Sequence, residues 1–285
     1  MATIPHTRRT FGVEIECVFP NDARGIETAF EDEVGRDHWW NVHYDASLPN
    51  GGLEFSSPIL YQRRSYGPSW QHLKDVMDWI KGRDGYVTAA CGMHVHIGMN
   101  DLDKHEIARM ARSWHANQDN IDMLVDKSRH NNGYCNKLGR YDMERIEVAL
   151  RSPAYTPAMM AYDRGVFNMC ALREHGTIEF RQHHGSVDFD EAQGWIKFLL
   201  GFVKNSIERK NPMPPYKEVK TLINRAKPSK TVEKILNMKI EGNLRGENLI
   251  RTRPQAPAAD FMIEDEDYDP DYVDIGAYDD DDDRW

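Results

Sequence analysis

Apolar positions recur along this chain with two different periods. In RTFGVEIECVF, Phe11, Val13 and Ile15 alternate with Gly12, Glu14 and Glu16, the two-residue period of a strand buried on one face. GGLEFSSP (Gly51–Pro58) reads as a second, short strand, entered by glycines and closed before a proline. GMHVHIG (Gly92–Gly98) reads as a third, with Met93, Val95 and Ile97 on one face and His94 and His96 on the other. Trp70, Leu73, Val76, Met77 and Ile80 recur at helical spacing, as do Ile107, Met110, Trp114, Ile121 and Leu124 after the turn NDLD. The loop SRHNNGYCNKLGR and a helix near Met143–Leu150 follow. GVFNMCAL and TIEFRQH read as two strands around a turn at Glu174–Gly176. Asp188 is the predicted cap of a helix carrying Phe189, Trp195, Ile196, Leu199 and Val203. Strands separated by helices, with hairpin-like pairs late in the chain, predict an α+β fold with an antiparallel sheet.

NPMPP (Asn211–Pro215) breaks the pattern, which divides the chain into a main domain (1–210), a basic helical extension (211–251) and a linker with an acidic tail (252–285). Lys204–Arg253 holds thirteen Lys and Arg against five Glu, whereas Asp260–Trp285 holds thirteen acidic residues and one arginine. The formal charge of −10 therefore comes from the tail, and the body is nearly neutral. Such a tail buries too little apolar area to offset its ordering entropy and is expected to be disordered. The four cysteines, at 17, 91, 135 and 170, form no CxxC and read as reduced thiols of a cytoplasmic protein. MATIPHTRRT lacks the apolar core of a secretory signal, and the longest apolar run, FLLGFV, is too short to span a membrane.

The candidate chemistry lies where strands place polar residues opposite a core face. Glu14 and Glu16, Glu54, His94 and His96, and Glu179 and Arg181 fall at such positions. Buried carboxylates require cations or water, and four glutamates with two histidines suit Mg²⁺ or Mn²⁺ better than structural zinc. Arg181 beside Glu179 offers a planar fork to a phosphate or carboxylate. Taken singly, Glu14–Glu16 reads as a solvated strand face, Glu179–Arg181 as a surface ion pair, and His94–His96 as packed core histidines. Their joint recurrence on strands favours one shared cleft.

GVEIE, DASL followed by GGLEFSSP, GMHVHIG, YC, RGVFNM and TIEFRQHHGSVD occur in an order that resembles the amidoligase family, among the glutamine-synthetase-like carboxylate–amine ligases. The resemblance spans Phe11 to Val203, making 1–210 the catalytic domain. It implies a curved, mainly antiparallel sheet like the glutamine synthetase catalytic domain, with helices on its convex side. It also implies ATP-dependent formation of an amide or isopeptide bond through an acyl phosphate, with two or more divalent cations in the concave face. By resemblance, Glu14, Glu16, Glu54, His94 and Glu179 are metal ligands. Arg181 contacts phosphate, with Arg164 and Arg173 as weaker candidates, and His96 faces nucleotide or substrate. Arg181, Glu54 and His96 carry the chemistry. The substrates implied are carboxylates and amines of amino acids, peptides or proteins. No segment resembles the separate N-terminal domain that completes the glutamine synthetase site between subunits, which leaves the mode of any homo-oligomer open. Small size and an acidic end suit a phage or mobile-element origin.

Two other readings stand beside this one. A metal-dependent amidohydrolase also uses an HxH strand, and His183–His184 could supply its further ligands. A non-catalytic nucleic-acid-binding protein would use Lys204–Arg253, but that segment holds only Tyr216 as an aromatic and the acidic tail opposes binding. Cys135 is a remote candidate nucleophile, since phosphoryl activation needs none, and Cys17 reads as packing.

Overall fold

The computed structural model describes residues 9–20, 23–35, 39–49, 52–62, 68–130, 132–157, 165–226, 228 and 230–250. Arg164, the linker and the acidic tail lie outside the described residues. Seven strands form one open sheet: β1 (Thr10–Cys17), β2 (Asn41–Tyr44), β3 (Leu53–Ser56), β4 (Leu60–Tyr61), β5 (Gly92–Gly98), β6 (Phe167–Asn168) and β7 (Thr177–His184). Their order is β2-β3-β1-β5-β7-β6, with β4 also on β1, and every pair is antiparallel.

Helix α1 (Ala23–Phe30) follows β1, and α2 (Pro68–Gly82), α3 (Lys104–Asp122) and α4 (Arg140–Arg151) flank β5 in sequence. A short α5 (Ala171–Glu174) separates β6 from β7, and α6 (Phe189–Glu208), α7 (Val219–Ala226) and α8 (Lys230–Arg245) complete the described chain. The fold is α+β, as the sequence pattern predicts.

One face of the sheet is apolar: Phe11, Val13 and Ile15 of β1, Phe55 of β3, Met93, Val95 and Ile97 of β5, and Ile178 and Phe180 of β7 are all fully buried or nearly so. Helices cover that face. Trp114 of α3 packs on Phe180 at 5.0 Å and on Phe202 of α6 at 5.3 Å, and Trp70 of α2 packs on Phe11 at 4.9 Å. Burying several aromatic side chains, at about 2–3 kcal/mol each, is the main force holding helices to sheet. Capping fixes where the helices start. Asp103 accepts the His105 and Glu106 amides while Glu106 accepts the Asp103 amide, and Asp188 accepts the Glu191 amide at 3.1 Å.

Three elements depart from the pattern. β2 carries a single buried residue, Val42, so no alternation announces it. β4 has only two residues. GVFNMCAL is not one strand: after β6, Asn168 Oδ1 accepts the Cys170 amide at 2.9 Å and turns the chain into α5. The cysteines are free, and Cys17 and Cys135 are buried.

The segment after Asn211 packs on the same core. Leu222, Ile223, Val232, Leu236 and Ile240 are buried, and a Cβ on Gly201 of α6 would stand 2.0 Å from the Ala226 carbonyl of α7. Asn243 Nδ2 donates to the Met123 and Val125 carbonyls at 2.8 and 2.9 Å. No described helix is long and apolar enough to cross a membrane.

Candidate active site

The sheet face opposite the helices carries the polar residues in three cross-strand rows. Register places His43 opposite Glu54 and Glu54 opposite Glu16. It places Ser56 opposite Glu14 and Glu14 opposite His94. It places Gly12 opposite His96, His96 opposite Glu179, and Glu179 opposite Asn168. These rows form the floor of a cleft of about 580 Å³, walled by Tyr44, Asp45, Arg129, Tyr134, Glu174, His175 and Arg181 among others.

A β-bulge sets the last strand. Val95 faces Phe180 but Met93 faces His183, so three residues of β7 span two of β5. Without the bulge, Glu179, Arg181 and His183 would share one face. With it, Glu179 and Arg181 line the cleft and His183 turns to the helices, where its ring lies 5.1 Å from Trp195. His184 Nε2 is 2.7 Å from Glu191 Oε1, and Lys239 of α8 forms an ion pair with the same carboxylate. Burial, above all, holds both imidazoles well below the usual histidine range, so they are neutral. His183, His184 and Glu191 bring donor atoms within 4.8 Å of one another, but Lys239 pairs with Glu191 and neither histidine lines the cleft, where an HxH amidohydrolase would need them.

His94 stands at the centre of the floor, almost fully buried. Its Nδ1 is 2.9 Å from Glu14 Oε2 and 3.4 Å from Glu179 Oε1, and its Nε2 is 3.5 Å from Glu16 Oε1. Burial opposes ionisation of Glu14, but hydrogen bonds and charge from His94 and His96 outweigh it and hold that carboxyl well below the usual range. His96 Nδ1 lies 2.9 Å from Thr177 Oγ1, and Nε2 lies 3.2 Å from Glu14 Oε1. Burial disfavours the imidazolium of His96, but the Glu14 bond and charge raise its pKa overall. Glu54 accepts from exposed His43 at 2.9 Å; burial first, then the charge of Glu14, raises its pKa. Arg181 pairs with Glu179 through Nη1, which is also 3.5 Å from His94 Nδ1, and Arg181 Nε reaches the Tyr134 carbonyl at 3.4 Å.

The lining fits divalent cations. Six carboxylates face two guanidiniums. Glu14, His94 and Glu179 bring donor atoms within 4.8 Å of one another, and so do Glu16, Glu54 and His94. A Cβ on Gly92 would stand 2.9 Å from His94 Nε2, so glycine keeps that nitrogen approachable. A neutral imidazole offers one lone pair, so His94 completes one group at a time. In the tautomer with the proton on Nδ1, which lies 2.9 Å from Glu14 Oε2, the lone pair is on Nε2.

Arg173 does not join the cleft: α5 turns it to solvent, 3.5 Å from Glu174. His43, Asn168, Thr177 and Arg129 are residues that strand alternation did not single out. Thr177 lies two residues before Glu179 on the same strand and face, and His43 follows from register alone, whereas Arg129 comes from the loop after α3, whose path no periodicity specifies.

An open antiparallel sheet with helices on one face and an oxygen-rich, metal-suited cleft on the other defines the class of this protein. Residues 7–203 match a family model described as "Putative amidoligase enzyme", and the chain belongs to that amidoligase family. A bifunctional glutathione synthetase from Pasteurella multocida is similar over 83% of this chain and 48% of its own, with 11% identity and a TM-score of 0.41. The chain thus spans about half the length of that protein. No curated protein sequence matches it.

Proposed function

We propose that the chain is an ATP-dependent carboxylate–amine ligase acting through an acyl phosphate, with Mg²⁺ or Mn²⁺ as its cations. The observation that supports this most is the convergence of Glu14, Glu16, Glu54, His94, Glu179 and Arg181 on one face of the sheet. A carboxylate is a poor electrophile because its oxygen leaves badly. In this reading a carboxylate oxygen attacks the γ-phosphorus, ADP leaves, the amine attacks the acyl carbonyl, and phosphate leaves.

Glu14, Glu16, His94 and Glu179 hold the cations, with Glu54 as the remaining donor. Divalent cations held there would supply charge neutralisation for the phosphate groups. Arg181, fixed by Glu179 and the Tyr134 carbonyl, presents its guanidinium to the transferring phosphoryl group. His96, held by Thr177, contacts nucleotide or substrate. Glu54 accepts the proton of the attacking amine when it is not ligating. Its raised pKa suits that task, and exposed His43 at 2.9 Å carries the proton to solvent. Catalysis falls to residues 1–210, and α7 and α8 of the 211–251 extension buttress α6. The substrates are an amino-acid, peptide or protein carboxylate and an amine. A cytoplasmic location suits the free thiols and the need for ATP.

Mn²⁺ titration followed by electron paramagnetic resonance, with and without ATP, tests the assignment. Saturable sites that tighten with ATP and weaken at least tenfold in Glu14→Gln and Glu179→Gln support it. Equal Mn²⁺ binding by folded variants rejects it.

A further inference from the structure

Arg129 is 2% exposed and lines the cleft, on the short 3₁₀ turn Lys127–Arg129. Its backbone is fixed from both sides. The Arg129 amide donates to the Asp126 carbonyl at 2.9 Å, and the Arg129 carbonyl lies 3.3 Å from Cys135 Sγ. Its side chain is less satisfied. Nη2 donates to the Arg181 carbonyl at 2.8 Å, Nε has no hydrogen-bond partner, and among the described residues no carboxylate forms an ion pair with the guanidinium. A buried cation without a paired anion is costly to maintain.

Local geometry keeps this guanidinium at the cleft. A Cβ on Gly92 would stand 2.9 Å from Arg129 Nη2 and 3.3 Å from its Cζ, as well as 2.9 Å from His94 Nε2. Glycine at this position therefore lets the arginine and the central imidazole approach the same space. The same Nη2 bond ties Arg129 to the backbone of Arg181, whose own guanidinium faces Glu179. Two planar guanidiniums are thus coupled through one residue at one wall, while the opposing floor is carboxylate.

We propose that Arg129 is an oxyanion-binding residue of the cleft, receiving a phosphoryl or carboxylate oxygen beside Arg181. The anion would supply the negative partner that no described residue provides. This deepens the ligase reading but rests on it only for the source of the anion. A phosphoryl oxygen comes from the nucleotide, a carboxylate oxygen from the acceptor.

Thermal unfolding of the full chain, titrated with inorganic phosphate and separately with acetate in the presence of Mg²⁺, tests the proposal. In the wild type one of the two anions raises the unfolding midpoint saturably. Arg129→Gln should weaken that anion at least tenfold, and Arg129→Lys, which keeps the charge but loses the fork, should fall between. A phosphate-selective loss assigns the nucleotide end and an acetate-selective loss the substrate end. If Arg129→Gln does not fold, Arg129→Lys carries the same titration. Variants that unfold at lower temperature yet bind both anions as the wild type does would make Arg129 a strut for β7 and overturn the proposal. So would a wild type that responds to neither anion. Anion binding that depends on Arg129, in a protein that never forms ADP, would retain this assignment and reject the ligase reading.

Discussion

Glu16 of β1 and Glu54 of β3 are directly opposed residues on one face of the sheet, so the fold sets two carboxylates side by side. Like charges in that position repel. Burial first, then the charge of Glu14, raises the Glu54 pKa. An acid with a raised folded pKa lowers stability fully above that pKa and not at all below the unfolded value, about 4.3. Glu54→Gln should therefore stabilise the metal-free protein by about 1 kcal/mol at neutral pH and leave it unchanged near pH 3. Thermal unfolding in EDTA at both pH values checks this, and a variant less stable at neutral pH would contradict it.

Arg181→Lys keeps a positive charge at the cleft but loses the guanidinium fork that meets Glu179 and the Tyr134 carbonyl. If Arg181 acts on developing phosphoryl charge, kcat should fall about 100-fold while the KM for ATP changes much less. An unchanged kcat would reduce Arg181 to an ion-pair partner.

Asp126 ties the loop bearing Arg129 to the segment that follows α8. Its Oδ1 accepts the Ser128 amide at 2.9 Å and its Oδ2 accepts the Leu249 amide at 2.9 Å. Burial works against ionisation, but these hydrogen bonds lower its pKa overall. A depressed carboxyl pKa contributes stability above the unfolded value, about 3.9, and loses it as pH falls through the folded value. Asp126→Asn should cost about 1–3 kcal/mol at pH 7, with the difference shrinking below pH 4. Urea unfolding across that range measures it, and a pH-independent difference would rule out the charge.

Lys239 of α8 pairs with Glu191 of α6 next to His184, a buried junction outside the cleft. Lys239→Met leaves Glu191 without its cation and should cost about 3 kcal/mol. Mn²⁺ binding by the folded variant should be unchanged. A variant as stable as the wild type would show that the junction contributes nothing net.

Alternation made β1, β3, β5 and β7 legible, because a two-residue period with one apolar face leaves little choice of which residues oppose the core. The set Glu14, Glu16, Glu54, His94, His96, Glu179 and Arg181 could be named for the same reason. What periodicity does not encode is pairing. The bulge in β7 sends His183 to the helices although spacing alone puts it with Arg181. β2 has one buried residue and contributes His43 only through register. Arg129 reaches the cleft from a turn whose position depends on the Asp126 cap, the Cys135 contact and the missing side chain of Gly92.

A ligase cleft of this kind would spend ATP to join a carboxylate to an amine. ADP formation, measured with Mg²⁺ and pooled amino acids, peptides and diamines, tests it most directly. ADP release should require Mg²⁺, a carboxylate and an amine together, and should be lost in a folded Glu179→Gln variant. ADP release independent of added carboxylate and amine, or preserved in Glu179→Gln, would contradict it.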